Sequence, residues 1–333
     1  MPGLFDAIDI RGLKLKNRIV MAPMATSMAT PEGEVTDRHI KHYTARAKGG
    51  VGLVILEHTY ILKSGQLSPN QLALYSDRLV PGLRRLVQAI HDEGAKVCIQ
   101  LTHAGAKASS AVIREQPVGP STVTVPGGKE APRQLAPAEI AAVAVAFAEA
   151  ARRAMEAGCD AVELHGAHGF LIGQFLSPYT NKRQDAYGGG LQARLKFPAE
   201  VVHQVRAKLP ANIALFYRFG ADDMVEGGLT PEDARMAAPL LEQAGVDVLD
   251  VSGGLGGGGS DRYTEQGYFV PLASGIKETV KIPVIGVGNI TEAEYADWIV
   301  REGKVDLVAV GRKLLSDPGF PREAARKLGA DMG

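Results

Sequence analysis

Short apolar runs alternate with amphipathic segments along almost the whole chain. The runs have the length of buried strands, and the segments between them repeat apolar residues at helical spacing. The clearest helical segment places Ile140, Val143, Phe147, Ala151 and Met155 on one face. Repetition of strand and helix predicts a parallel sheet covered by helices. We predict strands at 19–21, 51–56, 97–101, 161–164, 213–217, 248–251, 284–286 and 307–310.

Helices are predicted between the strands, at 37–48, 81–93, 140–155, 197–208, from 231, at 271–279, from 291 and after 312. Two of these starts carry capping signals. Thr230 precedes a proline at the first helical position, and Thr291 opens a capping box. Eight strands alternating with helices predict an α/β fold, a single-domain (β/α)8 TIM barrel. A doubly wound sheet is the alternative, but no Gly-x-Gly-x-x-Gly sequence both follows a strand and opens a helix.

Three stretches of the single domain 1–333 lie outside this pattern. Residues 1–16 form a short polar ribbon, which we expect to be an N-terminal cap. Residues 106–137 are rich in proline and glycine and predict a long excursion loop after strand three, over one face of the barrel. Residues 253–270 form a glycine-rich loop after strand six, a candidate for a substrate-facing lid.

Composition excludes several classes of protein. Lysine plus arginine and aspartate plus glutamate both number 37, and no long basic run exists, so nucleic-acid and polybasic membrane surfaces are disfavoured. No stretch approaches the roughly 18 apolar residues that span a bilayer. The first residues lack a signal-peptide pattern. Cys98 and Cys159 lie in apolar surroundings without metal-like spacing, which favours buried thiols in a cytoplasmic protein.

Polar side chains follow the predicted strands at their carboxyl ends, where barrel enzymes bind ligands. His165 and His168 end strand four, and two imidazoles three residues apart can donate N–H groups to one ligand oxygen. A lone histidine there is more often a hydrogen-bonded core residue. The pair is followed by Asn181-Lys182-Arg183 and Tyr187-Gly188-Gly189, which favours a functional site.

The last three strand ends predict a phosphate site. Ser252-Gly253-Gly254 follows strand six, Gly288-Asn289 strand seven and Gly311-Arg312 strand eight. Glycine lets backbone N–H groups approach a phosphate closely, and the guanidinium of Arg312 adds charge. Without this arginine, simple turn chemistry would explain the glycines. Gln100 and Arg218 end strands three and five, where burial is unfavourable without a ligand or partner.

The chain resembles the old yellow enzyme family of FMN-dependent ene-reductases. It is most similar to the branch that contains the flavin domain of 2,4-dienoyl-CoA reductases and single-domain relatives. The resemblance spans the chain and is carried by residues 17–24, 100–105 and 161–189, Arg218 and Gly311-Arg312. It implies FMN as cofactor, NADPH or NADH as electron donor and an activated alkene, such as an enone, as small-molecule substrate. It also implies a homo-oligomer.

The resemblance assigns roles to individual residues. His165 and His168 hold the substrate carbonyl, and Gln100 and Arg218 contact the flavin ring. The remaining cofactor-binding positions surround the ring or the phosphate, and they are Pro23, Met24, Ala25, His58, Gly253, Gly288, Gly311 and Arg312.

The chain departs from the family pattern at three points. Phe170 occupies the position of the usual proton-donor tyrosine, so the proton must come from water or from another residue. Tyr60, Tyr179, Tyr263 and Tyr268 are candidates because they lie in loops predicted near the site. Ala25 replaces a flavin-tuning cysteine or threonine. No cysteine cluster follows the barrel, so we expect electrons directly from a diffusing donor.

Three alternatives remain open. A member of the same family could oxidise amines, which would favour an aromatic pocket; Trp298, on predicted helix seven, argues against it. A non-redox, phosphate-binding aldolase or isomerase would need a Schiff-base lysine or paired carboxylates, and only Lys107 and Glu57 are near. A metal hydrolase built on His165 and His168 lacks a third ligand, so we expect no metal.

Overall fold

The computed structural model describes residues 2–257 and 263–332 and has a closed barrel of eight parallel strands at its centre. The strands lie around the barrel in chain order, and the last pairs with the first. This confirms the predicted TIM barrel. In a chain-order numbering that includes two small outer sheets, the barrel strands are β3 (Ile19–Met21), β4 (Leu53–Tyr60), β5 (Lys96–Thr102), β8 (Ala161–Gly166), β9 (Ala214–Gly220), β10 (Val248–Ser252), β11 (Val284–Gly286) and β12 (Leu307–Val310).

Helices cover the outside of the barrel, and their inner faces form one large apolar cluster with the strands. The longest, which the periodicity predicted most clearly, begins at Pro137, and Ile140 and Phe147 on its inner face are fully buried. The helices are α1 (Asp37–Lys48), α2 (Val80–Asp92), α3 (Ser110–Ile113), α4 (Pro137–Glu156), α5 (Leu171–Leu176), α6 (Leu191–Lys208), α7 (Pro231–Ala244), α8 (Val270–Lys277), α9 (Ala293–Arg301), α10 (Arg312–Ser316) and α11 (Phe320–Leu328).

The N-terminal ribbon is an antiparallel hairpin of β1 (Ile8–Ile10) and β2 (Leu13–Leu15). The expectation of a polar ribbon was wrong. Ile10, Leu13 and Leu15 are buried and join a second apolar cluster with residues that point into the barrel, such as Ile55 and Phe216. The hairpin therefore caps the amino end of the barrel with apolar side chains.

The predicted excursion after strand three contains little regular structure. It holds the short helix α3 and two two-residue strands, β6 (Val118–Gly119) and β7 (Arg133–Gln134), which pair with each other. The predicted glycine-rich loop 253–270 is described only in part, since 258–262 lie outside the described residues. Its last residue, Val270, already belongs to α8.

Several boundaries differ from the prediction for physical reasons. β4 continues through the polar pair Glu57-His58 to Tyr60, because both polar side chains are buried by partners elsewhere in the fold. α6 begins at Leu191, before Pro198, which interrupts the helical pattern without ending the helix. The start of α9 was also misplaced by one residue. Its N-cap is Glu292, because Gln266 accepts hydrogen bonds from the backbone N–H groups of Thr291 and Glu292.

Cys98 and Cys159 are buried and unpaired, as predicted. Burial raises the pKa of both thiols. In the described ranges, no helix combines the length and hydropathy that crossing a bilayer requires.

Candidate active site

A cavity of about 300 Å³ opens at the carboxyl ends of the barrel strands. This is the end at which TIM-barrel enzymes bind ligands. Its walls come from the ends of β3, β5 and β8–β12 and from the residues just before α8. The lining residues are Ala22, Pro23, Met24, Gln100, His165, His168, Arg218, Ser252, Tyr268, Phe269, Val287, Gly288, Asn289, Ile290, Gly311, Arg312 and Lys313.

Most of the predicted site residues meet in this cavity. Those that line it are Pro23, Met24, Gln100, His165, His168, Arg218, Gly288, Gly311 and Arg312. Of the other predicted positions, Ala25 is exposed on the loop after β3. His58 and Phe170 lie beside the cavity, packed against each other with ring centroids 5.6 Å apart. Gly253 is buried beneath Phe269, where an added Cβ would come within 2.9 Å of the ring.

Gln100 and Arg218 are held by carboxyl groups beneath the cavity. Gln100 Nε2 donates to Glu163 Oε2 at 2.7 Å, and Arg218 Nη1 donates to Asp250 Oδ2 at 2.5 Å. Each pair joins residues directly opposite each other on neighbouring strands. The partner that each buried polar group requires is therefore supplied by the adjacent strand.

One buried atom of Arg218 still lacks a partner. Its Nε has no hydrogen-bond acceptor within the described part of the chain. A buried N–H group without an acceptor is unfavourable, and here it belongs to a cavity-lining cation. An acceptor on a bound ring, such as a flavin pyrimidine oxygen or nitrogen, would satisfy it.

The opposite part of the cavity suits a phosphate. Gly288 has φ +127°, and a Cβ there would come within 2.9 Å of Phe269 N. A Cβ on Gly311 would meet Met24 Sδ at 2.9 Å. Position 288 therefore requires glycine, a Cβ on Gly311 would displace the Met24 side chain, and Arg312 and Lys313 add two cationic side chains to the same wall. A cavity lined by Gln100 and Arg218 for a ring and by Gly288, Gly311, Arg312 and Lys313 for a phosphate fits FMN.

The two histidines are neutral hydrogen-bonding groups. Their ring centroids lie 5.2 Å apart, edge to face. Burial, followed by nearby positive charge, holds the pKa of each well below its usual range. His165 Nδ1 accepts from Ala167 N at 3.3 Å, so its proton lies on Nε2. His168 Nε2 is 2.7 Å from Ser252 Oγ, which leaves Nδ1 as its second polar atom.

Phe170 lies at the edge of the site, between a small apolar cluster with Ala104 and Ala108 and the polar residues of the site. Its ring stacks on His165 with centroids 4.3 Å apart, and the Lys107 ammonium lies 5.4 Å from its centroid. Lys107 Nζ donates to the carbonyl oxygens of His168 and Gly256, and burial lowers its pKa.

Of the four candidate tyrosines, Tyr268 alone is among the described lining residues of the cavity. Tyr60 is buried and stacks on Tyr75, away from the cavity. Tyr263 stacks on Tyr268.

Glu57 anchors the loop that carries Pro23 and Met24. Its carboxylate accepts from Thr26 N at 2.5 Å, Thr26 Oγ1 at 2.7 Å and His39 Nε2 at 2.8 Å. These hydrogen bonds outweigh the effect of burial and lower the pKa of Glu57. Neither Glu57 nor Lys107 is among the described residues that line the cavity, so the pair considered for an aldolase does not meet there.

Sequence reasoning missed several parts of the site. Glu163 was overlooked because it lies within an apolar run, although a glutamate in such a run signals a buried partner. Tyr268 and Phe269 form part of the cavity wall, and the segment that carries them shows no helix or strand periodicity in its apolar residues. Lys313 was overlooked although it directly follows Arg312. In the described ranges no group of three or more His, Cys, Asp or Glu side chains could hold a metal ion.

The sequence profile of the NADH:flavin oxidoreductase / NADH oxidase family matches residues 3–331. The chain belongs to this family, which confirms its resemblance to the old yellow enzymes. Membership implies FMN as cofactor and NAD(P)H as electron donor, and the cavity has the features that FMN requires.

Two relatives and three solved structures illustrate the match. The chain is 44% identical to an NADH oxidase of Thermoanaerobacter brockii over 330 residues, covering 97% of this chain and 50% of the relative. It is 41% identical to an NADPH dehydrogenase of Geobacillus sp. over 330 residues, covering 99% of this chain and 95% of that relative. It therefore spans about half the length of the first relative and nearly all of the second.

The structural matches have high TM-scores. A 2-naphthoyl-CoA reductase complexed with 2-naphthoyl-CoA gives a TM-score of 0.92 at 28% identity, covering 98% of this chain and 52% of that one. An old yellow enzyme homologue from Zymomonas mobilis gives a TM-score of 0.87 at 30% identity, covering 98% of this chain and 93% of that one. A 6-hydroxypseudooxynicotine amine oxidase from Pseudomonas geniculata gives 0.89 at 31% identity, covering 98% and 49%.

Proposed function

We propose that this protein reduces alkenes conjugated to a carbonyl group, with NADPH or NADH as electron donor. The observation that carries the proposal is the pair of neutral histidines, His165 buried and His168 half-buried, in the wall of a cavity fitted for FMN. Two of the structural relatives, a reductase with an unsaturated thioester bound and an old yellow enzyme homologue, support this chemistry.

The protein's own residues would bind and polarise the substrate. The N–H groups of His165 and His168 hold the carbonyl oxygen and stabilise the negative charge that develops on it. Neutral imidazoles serve as donors without transferring their protons. FMN, when held by these residues, would supply the capacity for hydride transfer between a nicotinamide donor and the alkene. Arg218 places a positive charge at the ring-binding end of the cavity, which favours the anionic reduced cofactor.

Proton delivery distinguishes this chain from the family pattern. Phe170 has no exchangeable proton, so we propose that water protonates the α-carbon of the substrate. The loss of a side-chain general acid typically lowers the rate by about 10²–10⁴. Slow protonation should therefore limit turnover on alkenes.

Oxidation of a C–N bond is the second candidate, because an amine oxidase is among the structural relatives. Tyr268 and Phe269 provide an aromatic wall that could face a cation. Trp298 offers no such wall, since it lies on α9 with 46% of its surface exposed.

The test is a pair of anaerobic half-reactions. The purified protein should be yellow and should bleach with NADPH or NADH, and 2-cyclohexenone should then restore the colour. Replacing both His165 and His168 by alanine should slow reoxidation by the enone at least 100-fold. Reoxidation by oxygen serves as the control for intact reduced cofactor. Bleaching by an amine, without reoxidation by an enone, would establish the second candidate instead. A protein that cannot take up FMN would contradict both.

A homo-oligomer stays a prediction that rests on the family resemblance. Sedimentation velocity tests it directly.

A further inference from the structure

Four buried side chains lie beneath the ring-binding end of the cavity as two hydrogen-bonded pairs. These are Gln100 with Glu163 and Arg218 with Asp250, and we call the four residues the acid chain. Glu163 and Asp250 are fully buried, and each keeps one carboxyl oxygen, Glu163 Oε1 and Asp250 Oδ1, without a hydrogen-bond partner in the described part of the chain. Each of the two residues that suit a flavin ring is thus held by a carboxyl group that itself lacks a partner on one oxygen.

The two unpartnered oxygens bear on the number of protons. An ionised carboxylate carries no hydrogen, so two carboxyl groups can share a hydrogen bond only when one of them is protonated. One proton shared between Glu163 and Asp250 would give a partner to both oxygens. Two ionised carboxylates at this depth would repel each other strongly.

The surroundings decide which group holds the proton. Asp250 lies directly against the guanidinium of Arg218, which stabilises its ionised form. Glu163 accepts from the Gln100 amide and forms no ion pair within the described part of the chain, although the charge of Arg218 partly offsets the rise of its pKa. Burial and the charge of Asp250 raise the pKa of Glu163 well above its ordinary value. Burial also raises the pKa of Asp250, but Arg218 opposes that effect.

We propose that Glu163 is a neutral carboxylic acid that donates its proton to Asp250 and accepts from Gln100. It acts as a positioning residue. It fixes the Gln100 amide and holds the Arg218–Asp250 pair in place without adding negative charge beneath the cofactor. This inference rests on binding of FMN above Gln100 and Arg218, and it is independent of which substrate accepts the electrons.

The net charge of the acid chain should affect the stability of reduced FMN. With Glu163 neutral, the acid chain has one positive and one negative group. An ionised Glu163 would make the chain net negative and oppose the reduced, anionic cofactor. The midpoint potential of bound FMN therefore reports the protonation state of Glu163.

The first test compares two isosteric changes of carboxyl to amide. Glu163→Gln replaces one neutral group by another, so the midpoint potential of bound FMN should stay within measurement error of the wild-type value. Adding Asp250→Asn to that variant removes a negative charge. The double variant should bind reduced FMN about tenfold more tightly, relative to oxidised FMN, than Glu163→Gln does. For a two-electron couple this is about 30 mV in the positive direction.

A second measurement requires no cofactor. Infrared spectra of the wild-type protein with and without ¹³C-labelled glutamate, recorded at pH 7, should show an isotope-shifted band of a protonated carboxylic acid. Glu163→Gln should remove that band. Absence of a protonated glutamate band, or a positive shift of about 30 mV caused by Glu163→Gln alone, would overturn the proposal. If the protein fails to bind FMN, the infrared result still decides the state of Glu163.

Discussion

The two ends of the barrel interior are built from the same strands but carry opposite chemistry. Along β8, Ala161 belongs to the apolar cluster under the hairpin, Glu163 to the acid chain and His165 to the cavity wall. Along β9, Phe216 lies in the apolar cluster and Arg218 in the cavity wall. Because side chains alternate with a period of two, residues two apart on one strand point into the barrel at successive depths.

The difference shows how one strand can serve stability and chemistry. At the amino end, apolar side chains of the strands and the hairpin bury each other without needing specific partners. At the carboxyl end, each buried polar group needs a matched partner, and loss of one partner leaves the other uncompensated. Substitutions at the amino end should therefore reduce stability alone, whereas substitutions at the carboxyl end should reduce both stability and cofactor binding.

The largest effect is expected from removing the cation at the carboxyl end. Arg218→Met leaves Asp250 buried and unpaired, which typically destabilises a protein by about 3–5 kcal/mol. It should also abolish retention of FMN through purification. Arg206→Met is the matched control, since Arg206 pairs with Asp247 just before β10, at the amino end of the barrel. That variant should lose stability but keep FMN. Urea unfolding and the flavin content measure both outcomes, and an Arg218→Met protein with full FMN content would refute the assignment.

The apolar end can be weakened without touching the cavity. Leu15 is 1% exposed in the hairpin, and Leu15→Ala should reduce the free energy of unfolding by about 2–5 kcal/mol. The midpoint potential of bound FMN should not change. Lys14→Ala, at an exposed position of the same strand, controls for changes to the hairpin itself. A potential that moved with Leu15→Ala would show that the two ends are coupled.

A polar group can be restored at the edge of the site. Phe170→Tyr adds a hydroxyl where the family pattern has its proton donor, and reoxidation by an enone should accelerate at least tenfold. Reduction by NADPH or NADH provides the internal control and should be unaffected. An unchanged rate with the enone would mean that another group already delivers the proton.

The smallest effect concerns pH. Burial lowers the pKa of His58 to about 4, so its folded form binds a proton less readily than its unfolded form. Its contribution to stability is present above the unfolded value of 6.5 and is lost as the pH falls toward 4. Between pH 7 and pH 5.5 the wild-type protein should therefore lose about 1 kcal/mol more stability than His58→Gln. Asp223, whose pKa burial raises to about 6, acts in the opposite direction in both proteins. Equal losses in the two proteins would contradict a neutral His58.

The barrel was predictable from sequence because its signals are local and repeated. The apolar runs at 19–21, 284–286 and 307–310 coincide with β3, β11 and β12, since buried parallel strands are uniformly apolar. The predicted cavity residues followed from the same pattern, because they directly follow these runs. Their roles toward FMN came from the family resemblance and stay predictions.

What the sequence could not show depends on pairing between distant strands. Glu163 interrupts an apolar run, and its meaning appears only when Gln100 and Asp250 are placed beside it. The polar pair Glu57-His58 appeared to end a strand that in fact continues, because His39 and Gln71 supply partners from elsewhere. At the start of α9, Gln266 likewise takes the place of a local cap, although it lies 25 residues before Thr291 in the chain.

Closure of the barrel through β12 and β3 has a consequence for synthesis of the chain on the ribosome. Val308–Val310 pair with Ile19–Met21. One edge of the first barrel strand therefore has no hydrogen-bonding partner strand until the last barrel strand has been synthesised. Contacts this distant in sequence slow folding, and an unpaired strand edge invites association with other chains. The nascent protein therefore carries an open, aggregation-prone edge until its final strand has left the ribosome.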